Sequence, residues 1–245
     1  MRRTTTRLLI GSLTNLESTR QAIPTRRAWR IIYYKKKAML TINQLADQAF
    51  DLRAGDIIIS KTGAKNAPIG LGAELKPFRI VLAKTPSLTT PFEPKAFDGG
   101  DRVPFDLRAG PIEAAIDQLD KALLACVTTH KAKYFKKPPS DDELAQLYVP
   151  LKKEPSDPKY SATVRTKMTL GDKPSAKFWT TDKKPLEHAN ISWRDSEFAV
   201  QVRLKSIWFQ SNRSFGGTLE VEHVLVRQAD NSCPFEDTQI GDSPF

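Results

Sequence analysis

Gln201, Arg203, Lys205, Ile207 and Phe209 are spaced two residues apart, so on an extended strand they share one face. Cations can meet phosphates there and an aromatic ring can stack on a base, which makes this face the first place where residue types suggest chemistry. The opposite face, Phe198, Val200, Val202, Leu204 and Trp208, is apolar except for Ser206 and reads as core. A half-exposed sheet carrying Lys and Arg for solubility has the same pattern, so the face alone leaves both readings open. A second basic and aromatic cluster, Lys131, Lys133, Tyr134, Phe135, Lys136 and Lys137, closes a predicted helix. Cations also suit the negative end of a helix dipole, so part of that cluster has a local explanation.

Other chemistries find no matching pattern. The segment Lys61–Gly72, KTGAKNAPIGLG, lacks the spacings of a phosphate-cradling glycine loop. His130, His188 and His223 have no cysteine or carboxylate at metal-ligand spacing. His223 reads as a strand residue in phase with Leu219, Val221 and Leu225. Asp141-Asp142-Glu143 is first a helix-start signal, and no serine sits in a nucleophile elbow. The expectation is a protein that is not an enzyme and uses no cofactor or metal.

The elements that must hold these residues follow from periodicity. Glu197–Arg227 reads as two long strands joined by a polar, glycine-containing connection at Gln210–Gly217. Pro111 opens a helix running to Phe135, with Ile112, Ile116, Leu119, Leu123 and Val127 on one stripe. Pro138-Pro139 stops it, and Ser140 with Glu143 forms a capping box for a short helix to about Tyr148. A short helix at Ile42–Phe50 and strands at Asp56–Ser60, Phe78–Lys84, Tyr160–Met168 and Lys177–Thr180 are also predicted. The proline-rich stretch Lys84–Pro104 reads as an edge strand and a long excursion. Short strands around one inserted helix fit a mainly β architecture, a five-stranded barrel like the oligonucleotide-binding (OB) fold, with a second short helix.

Charge is unevenly placed along the 245 residues, whose net charge is +10. Residues 1–38 hold ten Lys or Arg against Glu17 alone, and residues 228–245 hold Asp230, Glu236, Asp237 and Asp242 with no base. The expected organisation is a basic leader over 1–38, a nucleic-acid-binding domain over 39–227 and an acidic, disordered tail over 228–245. The leader's composition fits an organellar transit peptide, a basic arm, or a gene-calling artefact upstream of a native start at Met39. A mildly basic body points to an anionic partner. No apolar run approaches the ~20 residues of a membrane helix. Cys126 and Cys233 lie far apart, which suggests a reducing compartment without a disulfide framework.

The order TPSLTTPF (Thr85–Phe92), KAKYFKK (Lys131–Lys137), YVPLKK (Tyr148–Lys153), KYSATVRTKM (Lys159–Met168) and IWF…FGGTLEVEHVLV (Ile207–Val226) resembles a known family. It is that of the OB-fold single-stranded DNA-binding proteins of large DNA viruses of algae and other protists, themselves similar to a podophage replication protein. The ending FEDTQIGDSPF (Phe235–Phe245) is similar to the acidic tails of replicative single-stranded DNA-binding proteins. The tail here is only weakly acidic. The resemblance implies that Arg165, Lys167, Arg203, Lys205 and Arg213 track phosphates, with Lys131, Lys133, Lys136 and Lys137 beside them. Trp179, Trp193, Trp208, Phe209, Tyr134 and Phe135 become the stacking candidates, although Trp208 is in phase with Val202 and Leu204 and is equally a core candidate.

What the resemblance implies is a sequence-tolerant single-stranded DNA-binding protein of replication, recombination or repair. Its tail, through Asp242, Pro244 and Phe245, would recruit a polymerase, helicase or primase, and it would have no membrane partner. A homodimer is left open. It would work at replicating DNA in a host nucleus or viral factory, or in an organelle if the leader is a transit peptide. An RNA-binding or nucleoprotein packaging factor and a structural virion or scaffold protein are the alternatives.

Overall fold

The computed structural model describes residues 39–41, 44, 51–95, 100–171 and 174–229. The leader, most of the helix expected at Ile42–Phe50, and the tail with Asp242, Pro244 and Phe245 therefore lie outside the described residues. Five strands come first: β1 (Met39–Thr41), β2 (Leu52–Ala54), β3 (Ile58–Ile59), β4 (Lys65–Leu71) and β5 (Phe78–Val81). Strand β6 (Arg102–Arg108) leads through a 3-10 turn at Gly110–Ile112 into α1 (Glu113–Thr129). Two short helices follow, α2 (Lys131–Tyr134) and α3 (Asp141–Leu147). After them come β7 (Tyr148–Val149), β8 (Lys152–Lys153), β9 (Thr163–Thr169), β10 (Lys177–Thr180) and β11 (Pro185–Leu186). The long hairpin β12 (Ser196–Phe209) and β13 (Phe215–Gln228) closes the described chain.

The sheet is organised around that hairpin. Along its main path the order is β1-β5-β12-β13-β10-β11, with β4 also on β12, β7 and β9 also on β13, and β6 and β8 on β9. The architecture is mainly β with one substantial inserted helix, as expected. It departs from the expected barrel, because the sheet is not closed. The reason is visible in the lengths: two fourteen-residue strands form a spine, and the partners along them are short strands of two to seven residues.

The hairpin carries two β-bulges, and these change which residues face the core. Gln201 pairs with His223 but Val202 pairs with Val221, leaving Glu222 as the extra residue on β13. Leu204 pairs with Leu219 but Ser206 pairs with Thr218, leaving Lys205 as the extra residue on β12. A bulge shifts the side-chain alternation by one. Phe198, Val200, Val202 and Leu204 are buried as expected, but beyond Lys205 the buried residues are Ile207 and Phe209. Trp208 turns to the opposite side with Ser206. The same shift on β13 buries Val224 and Val226 and moves His223 and Leu225 away from the face of Leu219 and Val221.

The helix stripe is as expected: Ile112, Ile116, Leu119, Leu123 and Val127 are all buried. The helix does not run on to Phe135. Thr128 Oγ1 donates to Leu124 O and Thr129 Oγ1 to Ala125 O, both at 2.9 Å, a pattern that weakens and bends a helix. His130, at φ −120° and ψ 22°, separates α1 from α2. The capping box is present in both halves, with Glu143 N donating to Ser140 Oγ and Ser140 N to Glu143 Oε2.

Candidate nucleic-acid interface

The bulge at Lys205 creates the candidate site by turning Trp208 out of the core. Trp208 pairs with Asn66 on one side and Gly216 on the other. A Cβ at Gly216 would lie 2.7 Å from the indole and 2.6 Å from Val149 O, so only glycine lets the ring lie across that strand. Trp208 Nε1 donates to Gly217 O at 3.2 Å, which fixes the ring orientation. The half-buried indole borders a cleft of ≈ 460 Å³ lined also by Lys65, Asn66, Val149–Leu151, Arg165, Lys167 and Thr218.

The wall at Val149–Leu151 is held from behind by a buried acid. Asp120 of α1 accepts from Tyr148 Oη at 2.5 Å and from Leu151 N at 2.9 Å. Burial pushes the Asp120 carboxyl above the usual carboxylate range, and these donors oppose that shift. Burial next to the Asp120 charge drives the Tyr148 phenol upward as well, so it stays a proton donor. Arg165 N donates to Leu151 O at 3.0 Å, tying β9 to the same wall.

Arg165 and Lys167 stand at alternate, outward positions of β9, with Val164, Thr166 and Met168 buried between and beside them. Neither they nor Lys65 belongs to an ion pair among the described residues. Partial removal from water, then the neighbouring Arg102 and Arg165 charges, hold the Lys167 ammonium below the usual lysine range. Burial and crowding with like charge both disfavour the ammonium, and a phosphate beside it would favour the charged form again.

The other sequence candidates fall elsewhere. Arg203 and Lys205 both bond to Glu220, and Arg203 also lies 3.5 Å from Glu222. Glu222 in turn pairs with Arg79 at 2.7 Å. The face expected to be basic is thus an ion-pair network of three cations on two carboxylates, to which both bulge residues, Lys205 and Glu222, contribute. Burial pushes the Glu220 carboxyl up, but bonds from Lys205 and Arg203 outweigh it and hold the group below its ordinary value.

Phe209, Tyr134 and Phe135 are core rings at 8 %, 8 % and 7 % exposure. Tyr134 stacks on Phe209 at 5.3 Å and its hydroxyl donates to Ala54 O, while Phe135 meets Phe209 edge-on. Burial pushes the Tyr134 phenol up to about 12. Trp193 is likewise core, packed among Phe105, Phe178 and Phe198, because its loop folds under the sheet. Trp179 is half-buried on β10 and donates to His223 Nδ1 at 3.3 Å, outside the Trp208 cleft.

Lys131 and Lys133 are paired with Asp141 and Asp56. Lys136, Lys137 and Arg213 are exposed, Arg213 donating to Lys137 O and lying over the Phe135 ring, but they do not line the cleft. Of the sequence candidates, the cleft gathers Arg165, Lys167, Trp208 and the edge of Phe209. Lys65 and Asn66 have no signature of their own in the sequence, since KTGAK lacks phosphate-loop spacing; its Gly63, at φ 79°, turns the β3–β4 hairpin instead.

Among the described residues no group of three or more His, Cys, Asp or Glu is placed to hold a metal. No described helix is long and apolar enough to cross a membrane. No protein-family model and no curated protein matches the chain. Among solved structures it is similar to the single-stranded DNA-binding protein from bacteriophage Enc34 in complex with ssDNA, at 15% identity and TM-score 0.35, over 74% of this chain and 98% of that one. It is also similar to gp2.5, a single-stranded DNA-binding protein encoded by bacteriophage T7, at 14% identity and TM-score 0.39, over 66% and 96%.

Proposed function

We propose that this protein binds single-stranded DNA without regard to sequence, with the Trp208 cleft as its principal contact. The observation that carries the reading is a fixed, half-buried indole beside three cations, Lys65, Arg165 and Lys167, that form no ion pair among the described residues. A π-face accepts any base, and stacking contributes ~1–3 kcal/mol per base. Arg165, Lys167 and Lys65 supply the phosphate contacts, whose hallmark is affinity that falls with salt. The two phage proteins similar in structure bind single-stranded DNA; at these identities and TM-scores the reading rests on the cleft itself. A role in replication, recombination or repair, and recruitment of a polymerase, helicase or primase through Asp242–Phe245, extend the proposal on the strength of the sequence resemblance.

Titration of the full chain with fluorescent oligo-dT, matched oligo-rU and the corresponding duplex at two salt concentrations tests it. The expected result is tight, salt-weakened binding to oligo-dT, with Trp208→Ala losing about tenfold in affinity. Preference for the duplex, or binding insensitive to salt, contradicts it. Preference for oligo-rU would move the protein to the RNA-binding class.

A further inference from the structure

Phe92 and Tyr160 are 65% and 60% exposed, far more than the other rings of the described sheet and helices. A single exposed ring needs no explanation. These two border the same concavity, a second cleft of ≈ 470 Å³ whose lining includes Arg108 and Lys153. Both residues lie in hydrogen-bonded turns. Thr90 Oγ1 donates to Phe92 O at 2.7 Å and Tyr160 N donates to Asp157 O at 3.1 Å. The Lys159 ammonium lies 5.0 Å from the Tyr160 ring centre, adding positive charge to that platform.

The cations here face outward from the same sheet surface as those of the Trp208 cleft. Arg108 and Lys153 both pair with Thr163, two residues before Arg165 on β9. Thr163, Arg165 and Lys167 therefore step along one face at ~6.6 Å intervals, linking the two clefts within ~13 Å. Acids in the second cleft are largely engaged: Glu154 by Lys152 at 3.1 Å and Asp157 by Lys159 at 2.9 Å. Asp106 sits opposite Arg165, its carboxyl pushed up by burial and pulled back by Arg165 and Lys153.

We infer that the bound single strand continues over β9 from the Trp208 cleft into this second cleft, where Phe92 and Tyr160 stack on bases and Arg108 and Lys153 hold phosphates. This rests on the single-stranded DNA reading above and adds a second subsite to it. Single-stranded DNA-binding surfaces of one domain cover about 4–16 nucleotides, so a path of two clefts is an ordinary site size.

The test uses the full chain with oligo-dT of about six and about twenty nucleotides, lengths chosen to fill one cleft or both. The Phe92→Ala/Tyr160→Ala variant is expected to bind the short oligomer as wild type does. It should lose about tenfold or more on the long one, with a smaller occluded site size. Arg108→Ala/Lys153→Ala should make the salt dependence on the long oligomer shallower by about 1.4 in log–log slope, two phosphates at ~0.7 each. Both pairs are exposed, and unchanged melting temperatures separate binding loss from unfolding. Wild-type affinity and site size for the long oligomer in both variants would overturn the second subsite, as would equal losses at both lengths. Failure of the wild-type protein to bind oligo-dT at all would remove the underlying reading instead.

Discussion

Two outward surfaces of the same sheet use the same residue types to opposite ends. On β5, β12 and β13, Arg79, Arg203 and Lys205 share Glu220 and Glu222, so each cation is paired within the protein. On β6, β8 and β9, Arg108, Lys153, Arg165 and Lys167 form no ion pair among the described residues, although Asp106 lies across from Arg165 and Glu220 across from Lys167. The first surface is a brace for the long hairpin. The second leaves its cations without ion-pair partners among the described residues, and it is the surface proposed to meet phosphates. A count of Lys and Arg does not distinguish them; the position of two glutamates does.

The contrast can be broken most forcefully at Glu220. This residue is buried and holds two cations, so Glu220→Gln leaves Lys205 without its carboxylate and Arg203 with only the 3.5 Å contact to Glu222, and should destabilise the fold by about 1–3 kcal/mol, measured by urea unfolding at neutral pH. Its effect has a defined pH sign. The folded-state pKa of Glu220 lies below its unfolded value, so its stabilisation is present above the unfolded carboxylate pKa and is lost as pH falls through the folded one. The variant should therefore lose the acid-sensitive part of stability that the wild type shows there. Equal stability at neutral pH would mean that the network is not a brace.

A smaller effect sharpens the other side. Because the Lys167 ammonium is held below the ordinary lysine range, it loses its charge earlier as pH rises, and a bound phosphate would restore it. Affinity for oligo-dT should fall with rising pH in the alkaline range below the usual lysine pKa, with proton uptake on binding. Lys167→Arg should flatten that profile, since a guanidinium stays charged. Identical profiles for the two proteins would take Lys167 out of the contact.

Much of the fold was legible in the sequence because it rests on local rules. The Ile112-to-Val127 stripe, the Ser140–Glu143 capping box and the alternation of Phe198 to Leu204 each follow from one element's own period. The site was less legible because it depends on what interrupts those periods. Nothing in VRLKSIWF marks Lys205 as a bulge, yet the bulge decides that Phe209 is core and Trp208 is cleft. Tyr134, Phe135 and Trp193 looked like platforms because they adjoin lysines or loops, and only tertiary packing buries them. Lys65, Arg108 and Lys153 come from three separate segments, and Phe92 from a fourth, so no local window contains the surface they form.

The central claim is that unpaired charge on β9, not the paired charge on β12, meets the nucleic acid. The slope of log affinity for oligo-dT against log salt, compared between Arg165→Ala/Lys167→Ala and Arg203→Ala/Lys205→Ala, tests it most directly. The expected result is a slope shallower by about 1.4 and a large loss of affinity for the first pair, with the wild-type slope retained by the second. A wild-type slope for the β9 pair, or a shallower slope only for the β12 pair, would contradict it.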